Sequence, residues 1–189
     1  EINRMLSVGM LVKKAMKGHV DLLGPATAVG NELLGIPSFD TPDYSELFAE
    51  EKEMIAKLKK VFLMVAGSAI QKYGTELDQH QQLLMAAANI LNEVYMAEST
   101  LLRTEKNAKR FGENEQEGQI AMSRLYLYNA VDIVIKNGKE GIVSFAEGDE
   151  QRMLLMGLKR FTKYANQPNV VALRNVIAEK LKAENKYCF

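Results

Sequence analysis

The chain has 189 residues, and its 24 lysine and arginine residues are balanced by 24 aspartate and glutamate residues, so the formal net charge is zero. A chain of this length can bury about 70% of its unfolded surface in one domain with a hydrophobic core. The zero net charge argues against a nucleic-acid-binding protein, because such proteins normally carry an excess of basic residues.

Cysteine usage and apolar runs bear on the compartment. Cys188 is the only cysteine, so the chain forms no internal disulfide, and a reducing, cytoplasmic location is expected. The longest strongly apolar stretch without a charge runs from Val61 to Gln71, far shorter than the about 20 residues that a membrane span needs. The composition therefore predicts a soluble protein.

The first 18 residues predict a helical arm. Apolar and small residues recur there at helical spacing: Ile2, Met5, Gly9, Val12 and Met16. Gly18 stands where a left-handed residue ends a helix. Three lysines lie near the predicted end: Lys13, Lys14 and Lys17. We interpret them as charges that favour the negative end of the helix dipole, rather than as an anion-binding site.

Glycine and proline interrupt the next segment, residues 19–41, which we interpret as a linker with one short helix. That helix should run from about Pro25 to Leu34, with proline in its first turn and glycine after its end. Gly30 and Gly35 have the spacing of a phosphate-binding loop. A Lys-Ser/Thr pair must follow in such a loop, and Ile36-Pro37 stands there instead, so we exclude a phosphate site of that kind.

Two long helices should follow and form an antiparallel hairpin. Thr41-Pro42-Asp43 combines a capping side chain, a first-turn proline and an acidic residue, and predicts a helix from there to Tyr73. Apolar residues repeat along it every seven positions: Phe48, Ile55, Phe62 and Ala69. Gly74 should end this helix, and the second should run from about Glu76 to Arg110.

The remaining sequence predicts shorter helices. A third helix should end near Gly138, followed by a short separate piece at about 139–146. Asp149 is expected to cap a fourth helix, and Asn166 or Gln167 with Pro168 should restart the chain into a last one through Val170. No segment alternates apolar and polar residues as a half-buried strand does.

The predicted fold class is therefore all-α, an up-and-down helical bundle with an N-terminal helical arm. The arm occupies residues 1–18 and the linker residues 19–41. The bundle occupies residues 42–189 and should be built of the two long helices and the two C-terminal ones.

Metal sites are common in helical bundles, but the histidines argue against one here. A di-iron centre needs two Glu-x-x-His pairs on facing helices. His19 and His80 are the only histidines, and neither has a glutamate three residues before it. We therefore expect no metal site. His80 lies among glutamines at the start of the second long helix, and we expect it to be an exposed polar residue.

Two glutamates fall on the apolar stripe of the second long helix. Glu98 and Glu105 continue the seven-residue spacing of Leu84 and Leu91. A buried carboxylate at such a place is a candidate functional acid. We favour ion pairs or a stripe that turns toward solvent, since no second acid, nucleophile or histidine accompanies the two glutamates. The partners considered are Arg103, Arg124 and Lys109.

The start of the chain resembles a known cofactor-binding motif. Glu1-Ile2-Asn3-Arg4 is similar to the end of the flavin-domain signature of acyl-CoA dehydrogenases, an aromatic-Glu-Gly-Thr-x-Glu/Gln-Ile-x-Arg run that opens a helix. The segments from Met10 to Gly18 and from Asp21 to Ala26 are similar to the bacterial branch of large acyl-CoA dehydrogenases that resembles the very-long-chain enzyme. Those proteins carry a second helical domain after the catalytic core.

The resemblance implies a homodimeric flavoenzyme that removes the α-proton of a fatty acyl-CoA with a glutamate and passes the β-hydride to FAD. By alignment this glutamate lies four positions before Glu1, so no catalytic residue is expected in this chain. Glu1 and Ile2 match positions next to the cofactor, and Arg4 matches the basic residue that follows. For the parent protein the resemblance implies FAD, acyl-CoA and an electron acceptor. The fragment should hold no FAD, and its partner should be the missing catalytic core.

The linker departs from the very-long-chain enzyme, in which this segment is implicated in membrane attachment. No lysine or arginine occurs between Lys17 and Lys52, so attraction to an anionic bilayer is absent and no membrane association is expected. We expect the apolar linker residues to dock against protein: Leu33, Leu34, Ile36 and Phe39. The alternative to an assembly domain that covers the catalytic core is a stand-alone helical scaffold whose first residues match the motif by coincidence.

Overall fold

The computed structural model describes residues 2–35 and 43–189, and within these ranges all regular structure is helical. Two short 3-10 helices, Gly74–Gln79 and Asn114–Gln116, lie just before the two longest α-helices. The α-helices are α1 Ile2–Met16, α2 Leu23–Leu34, α3 Ala49–Tyr73, α4 Gln81–Phe111, α5 Glu117–Phe145, α6 Gly148–Phe161 and α7 Val170–Glu184. The all-α prediction is confirmed.

The hydrophobic core lies between α3, α4 and α5, which follow one another through short connections and therefore run up and down. The helix α6 completes this group by packing against α3 and α5. By contrast α7 packs on the outside of α5 and has no buried residue. The prediction that the two C-terminal helices complete the bundle is therefore wrong for α7, because α5 takes the inner place.

The first long helix begins later than predicted. Thr41 and Pro42 lie outside the described residues, and α3 begins only at Ala49. Asp43 caps a turn instead, since its Oδ1 accepts a hydrogen bond from the backbone N–H of Ser45 at 2.9 Å. Phe48 is left-handed, with φ +65°, and only 1% exposed. The helix begins directly after this residue, whose carbonyl accepts a hydrogen bond from the N–H of Lys52 at 2.9 Å. Its predicted end at Tyr73 is confirmed.

The start of the second long helix also differs from the prediction. Gly74, with φ +52°, reverses the chain as predicted, but it opens a 3-10 helix of six residues, Gly74–Gln79, and α4 begins at Gln81 rather than near Glu76. The 3-10 turns bury Leu77, which is 4% exposed. A hydrogen bond from the His80 N–H to the Leu77 carbonyl at 3.1 Å closes the segment before α4 begins.

The third predicted helix does not end at Gly138. Instead α5 continues to Phe145, and the separate piece predicted at 139–146 is its last two turns. A Cβ at Gly138 would lie 2.8 Å from Leu158 Cδ1 of α6, so this glycine allows two helices to approach closely. Its role is packing, which a sequence pattern cannot distinguish from a helix end.

The predicted cap of the fourth helix is wrong, whereas the last helix begins after Pro168 as predicted. Asp149 lies in the first turn of α6 and does not cap it. The cap of α7 is Asn169, whose Oδ1 accepts a hydrogen bond from the N–H of Ala172 at 3.1 Å. Asn166, one of the residues predicted to restart the chain, lies before α7, and its N–H donates to Glu50 Oε1 at 2.7 Å.

The linker helix α2 docks tightly on the bundle. A Cβ at Gly67 of α3 would lie 2.5 Å from the Cβ of Ala26, so the glycine lets α2 lie close to α3. Glu32 binds Lys60 of α3 at 2.7 Å. Leu33 packs against Gly157 of α6, as expected for a docking residue. Of the other residues expected to dock, Leu34 is 76% exposed, and Ile36 and Phe39 lie outside the described residues.

The described helices fall into the predicted segments as follows: α1 in 1–18, α2 in 19–41 and α3 to α7 in 42–189. The helix α1 packs along α4, and α2 packs along α3. The division into an arm, a linker and a bundle domain stays a prediction.

Two glycine substitutions test how closely α2 and α3 must approach. We expect Gly67→Ala to lower the free energy of unfolding by about 1 kcal/mol or more, because the added methyl overpacks the contact with Ala26. Gly30→Ala is the matched control on α2, since nothing lies within 4 Å of a Cβ there. The control should raise stability by about 0.5–1 kcal/mol through the helix preference of alanine. Urea unfolding followed by circular dichroism measures both, and equal stabilities would contradict the close contact.

Candidate functional site at the N-terminal arm

The arm helix α1 packs on the bundle through one of its faces. Val8 and Val12, one turn apart, are 1% and 6% exposed and lie against α4. Gly18 ends the arm as predicted, with φ +72°. The N–H of His19 donates to the carbonyl of Lys14 at 2.9 Å, which is the backbone bond of a left-handed helix end.

A chain of polar side chains ties the start of the arm to the bundle. Arg4 Nη1 donates to Asn89 Oδ1 of α4 at 3.1 Å. Asn89 Nδ2 donates to Asn137 Oδ1 of α5 at 2.7 Å. Asn137 Nδ2 donates in turn to the backbone carbonyl of Ile133 at 2.8 Å, and the Asn137 side chain is buried. Three helices are thus joined by consecutive hydrogen bonds.

The opposite face of the arm leaves large apolar side chains exposed. They follow helical spacing, and their exposed fractions are 77% for Ile2, 54% for Leu6, 47% for Met10 and 51% for Met16. We call this set the open face. It borders a groove of about 490 Å³ between α1 and the segment from Gly74 to Leu84. An exposed apolar stripe of this kind is typical of a surface that binds another body.

The predicted cofactor-adjacent residues lie at the start of this arm. Glu1 lies outside the described residues. Ile2 is the first residue of α1 and belongs to the open face. Arg4 is exposed on the same turn, with its guanidinium directed to Asn89. The assignment of Glu1 and Ile2 to a cofactor site stays a prediction.

The three lysines near the end of the arm fit their electrostatic interpretation. Lys13 and Lys14 lie in the last turn of α1, where positive charge is favourable. Lys13 also borders the groove. The described residues of the arm give no second feature that would turn these lysines into an anion site.

The two glutamates on the apolar stripe of α4 form ion pairs. Glu105 Oε1 lies 2.8 Å from both Lys109 Nζ and Lys52 Nζ, and its side chain is only 12% exposed. Hydrogen bonds from Lys109 and Lys52 hold the pKa of this carboxyl below its usual range. Glu98, 38% exposed, pairs with Lys59 of α3 at 2.6 Å. The ion-pair interpretation is confirmed, and a general acid is not favoured because Glu105 is held ionised.

The partners of these ion pairs were only partly predicted. Lys109 was among the predicted partners, whereas Lys52 and Lys59 lie on α3, and their pairing depends on how α3 and α4 face each other. Arg124, another predicted partner, binds Glu51 instead, with Nε 2.7 Å from Oε1.

His80 does not lie exposed as predicted. It is half-buried, and its ring stacks on Tyr73 with centroids 3.6 Å apart and planes at 25°. Across residues 2–35 and 43–189 no three His, Cys, Asp or Glu side chains gather closely enough to hold a metal ion. No helix in the same ranges combines the length and apolar character that crossing a bilayer requires.

A second cavity, of about 310 Å³, lies where α3, α5 and the start of α7 meet. Tyr164 lines it and is 9% exposed, and its hydroxyl has no hydrogen-bond partner among the described residues. Burial, followed by the charges of Glu51 and Glu50, raises the pKa of this phenol. Sequence reasoning missed the site because its residues come from four separate segments and share no motif.

Three comparisons with known proteins all match this chain to acyl-CoA dehydrogenases. Residues 57–160 match the family described as "Acyl-CoA dehydrogenase, C-terminal domain". A "Probable acyl-CoA dehydrogenase" from Bacillus subtilis is 32% identical over 183 residues, which are 97% of this chain and 29% of that protein. The crystal structure of an acyl-CoA dehydrogenase complexed with FAD, from Bacillus anthracis, superposes with a TM-score of 0.90 at 32% identity. That match covers all of this chain and 31% of the other, so the chain spans less than a third of both relatives.

A pair of aspartate substitutions separates the two faces of the arm. We expect Val8→Asp to detach α1, because a carboxylate cannot be buried unpaired against α4, and to lower the free energy of unfolding by about 2 kcal/mol. Leu6→Asp, on the open face, should change stability by less than about 0.5 kcal/mol. Hydrogen exchange of the α1 amides measures detachment. Equal exchange in the two variants would show that the arm is not held through Val8.

The ion pairs of Glu105 predict a pH-dependent stability. Because the folded-state pKa is lowered, the stabilisation exists above the usual value of 4.5 and is lost as the pH falls through the folded pKa. We expect Glu105→Gln to lower stability by about 1–2 kcal/mol at neutral pH and by almost nothing well below pH 4. Glu98→Gln, at a more exposed pair, is the control and should cost less. Urea unfolding at several pH values tests this, and a constant cost of Glu105→Gln across that range would refute it.

Proposed function

The chain belongs to the acyl-CoA dehydrogenase C-terminal domain family, and we propose that it serves as the C-terminal helical domain of an FAD-dependent acyl-CoA dehydrogenase. The observation that carries the proposal is the agreement of the whole chain, at a TM-score of 0.90 and 32% identity, with an acyl-CoA dehydrogenase complexed with FAD. The match extends over arm, linker and bundle. A coincidental likeness of four N-terminal residues would not produce such a match.

The role of this domain is assembly. Its arm has one face on α4 and an open face of apolar side chains, the pattern of a helix that lies between two bodies. Both relatives are about three times as long as this chain, so they contain further protein that can cover the open face. The open face of α1 therefore docks against the flavin-binding core of the same polypeptide.

The arm fits one edge of an FAD site. Ile2 presents an exposed apolar side chain at the first turn, next to the exposed Arg4. When bound, FAD accepts the hydride from the acyl-CoA substrate. Within this chain, Ile2 would contact the cofactor and Glu1 would lie beside it, while the catalytic glutamate and the remaining cofactor contacts precede Glu1. The chain alone is therefore inactive and does not retain FAD.

Finer features of the parent protein follow from the resemblance of the arm and linker. They are a place in the branch that resembles the very-long-chain enzyme, a homodimeric assembly and a separate electron acceptor. The single cysteine supports a reducing, cytoplasmic compartment. The basic-poor linker supports the absence of membrane attachment, and α2 instead binds the bundle through Glu32 and Leu33.

Flavin spectroscopy on the longer protein tests the proposal. The longer protein should be purified with FAD, and its flavin absorbance should bleach when palmitoyl-CoA is added without an electron acceptor. The chain of 189 residues, mixed with FAD and palmitoyl-CoA, should reduce no dye. A longer protein without flavin would favour the stand-alone scaffold, and turnover by the chain alone would refute the position assigned to the catalytic glutamate.

A further inference from the structure

The hydrogen bonds that join Arg4, Asn89 and Asn137 have a fixed direction. Asn137 gives its Nδ2 to the carbonyl of Ile133, so it turns Oδ1 toward α4. Asn89 must then present Nδ2 to Asn137, which turns its own Oδ1 toward the arm. A backbone carbonyl of α5 thereby decides that the bundle offers the arm an acceptor, and position 4 must supply a donor.

The apolar contacts of the arm do not fix the orientation of its first turn. The buried residues of α1 are Val8 and Val12, one and two turns further along, and Ile2 is 77% exposed. Apolar contacts are also non-directional and tolerate small rotations of a helix. The bond from Arg4 to Asn89 is therefore what fixes the rotation of the first turn of α1.

The burial of the Asn137 amide also indicates that these hydrogen bonds orient the arm. Its side chain lies in a helix interface at 6% exposure, where an apolar residue would pack without desolvation cost. A fully paired buried amide instead favours one arrangement of its neighbours over others. The hydrogen bonds that join Arg4, Asn89 and Asn137 thus favour one defined placement of the arm on the bundle.

We infer that Asn89 and Asn137 are positioning residues that set the orientation of the first arm turn, and through it the contact of Ile2 with FAD. The inference rests on the proposed function. Both asparagines lie on bundle helices, at α4 and α5, and act on the cofactor only through Arg4. They are distinct from residues that touch substrate or cofactor.

The test uses the longer flavoprotein and measures the dissociation constant of FAD. Asn89→Leu and Asn137→Leu should each weaken FAD binding about three- to tenfold, the effect of one lost hydrogen bond. They should also shift the flavin absorbance spectrum and speed amide exchange in residues 2–8. Asn92→Leu, at an exposed position one turn further along α4, is the matched control and should change none of these three quantities.

A double-mutant cycle decides whether the residues act as one chain. Arg4→Met together with Asn89→Leu should weaken FAD binding no more than the stronger single change, and Arg4→Lys, which keeps a donor, should lose less than Arg4→Met. Arg4 is exposed, so the Arg4 variants fold even if Asn137→Leu does not. Additive effects, or FAD binding and exchange in Asn89→Leu equal to those of the control, would overturn the inference alone. A longer protein without flavin would overturn the proposed function as well.

Discussion

Burial of the apolar stripe of α3 is the interaction on which the rest of the structure depends. Leu58, Val61 and Val65 are fully excluded from solvent, and the helix that carries them is contacted by α2, α4, α5 and α6. Each such side chain contributes about 1.5–3 kcal/mol when it leaves water. No other described helix is surrounded by so many others, apart from α5. A cavity in this stripe would therefore loosen the linker helix and the bundle together.

Charged pairs around this core give the helices their relative orientation. Four of them cross from α3 to other helices, joining Lys52 to Glu105, Lys59 to Glu98, Lys60 to Glu32 and Glu51 to Arg124. Pairs with such partial exposure add little stability singly. Their partners come from α4, α2 and α5, so together they favour one rotation of α3. The pair at Glu105, the least exposed of these carboxylates, is the one that is expected to contribute measurably.

The periodicity of apolar residues was sufficient to predict the helices, because burial of one helix face leaves a signal every three or four residues. It was not sufficient to predict where they end. Gly138 and Gly18 look alike in sequence, yet one allows close packing against Leu158 and the other ends α1 in a left-handed turn. Asn89 and Asn137 are 48 positions apart, and nothing local indicates that they bind each other. Contacts of this kind depend on how helices face one another.

The candidate site was predictable only through resemblance, and its physics explains why. The open face of the arm is apolar at helical spacing, which by itself predicts an ordinary buried helix. Only the structure shows that Val8 and Val12 fill one side while Ile2, Leu6 and Met10 remain exposed on the other. The arm is held by Val8 and Val12 and by the half-buried Leu11 and Ala15, but its first turn is fixed only by one exposed hydrogen bond. Docking of a second body on the open face would stabilise the docked arm by mass action, so assembly and orientation of the arm are coupled. Apolar burial on both sides of the arm does not fix its rotation. The hydrogen bonds that join Arg4, Asn89 and Asn137 do so, because each has a required donor and acceptor.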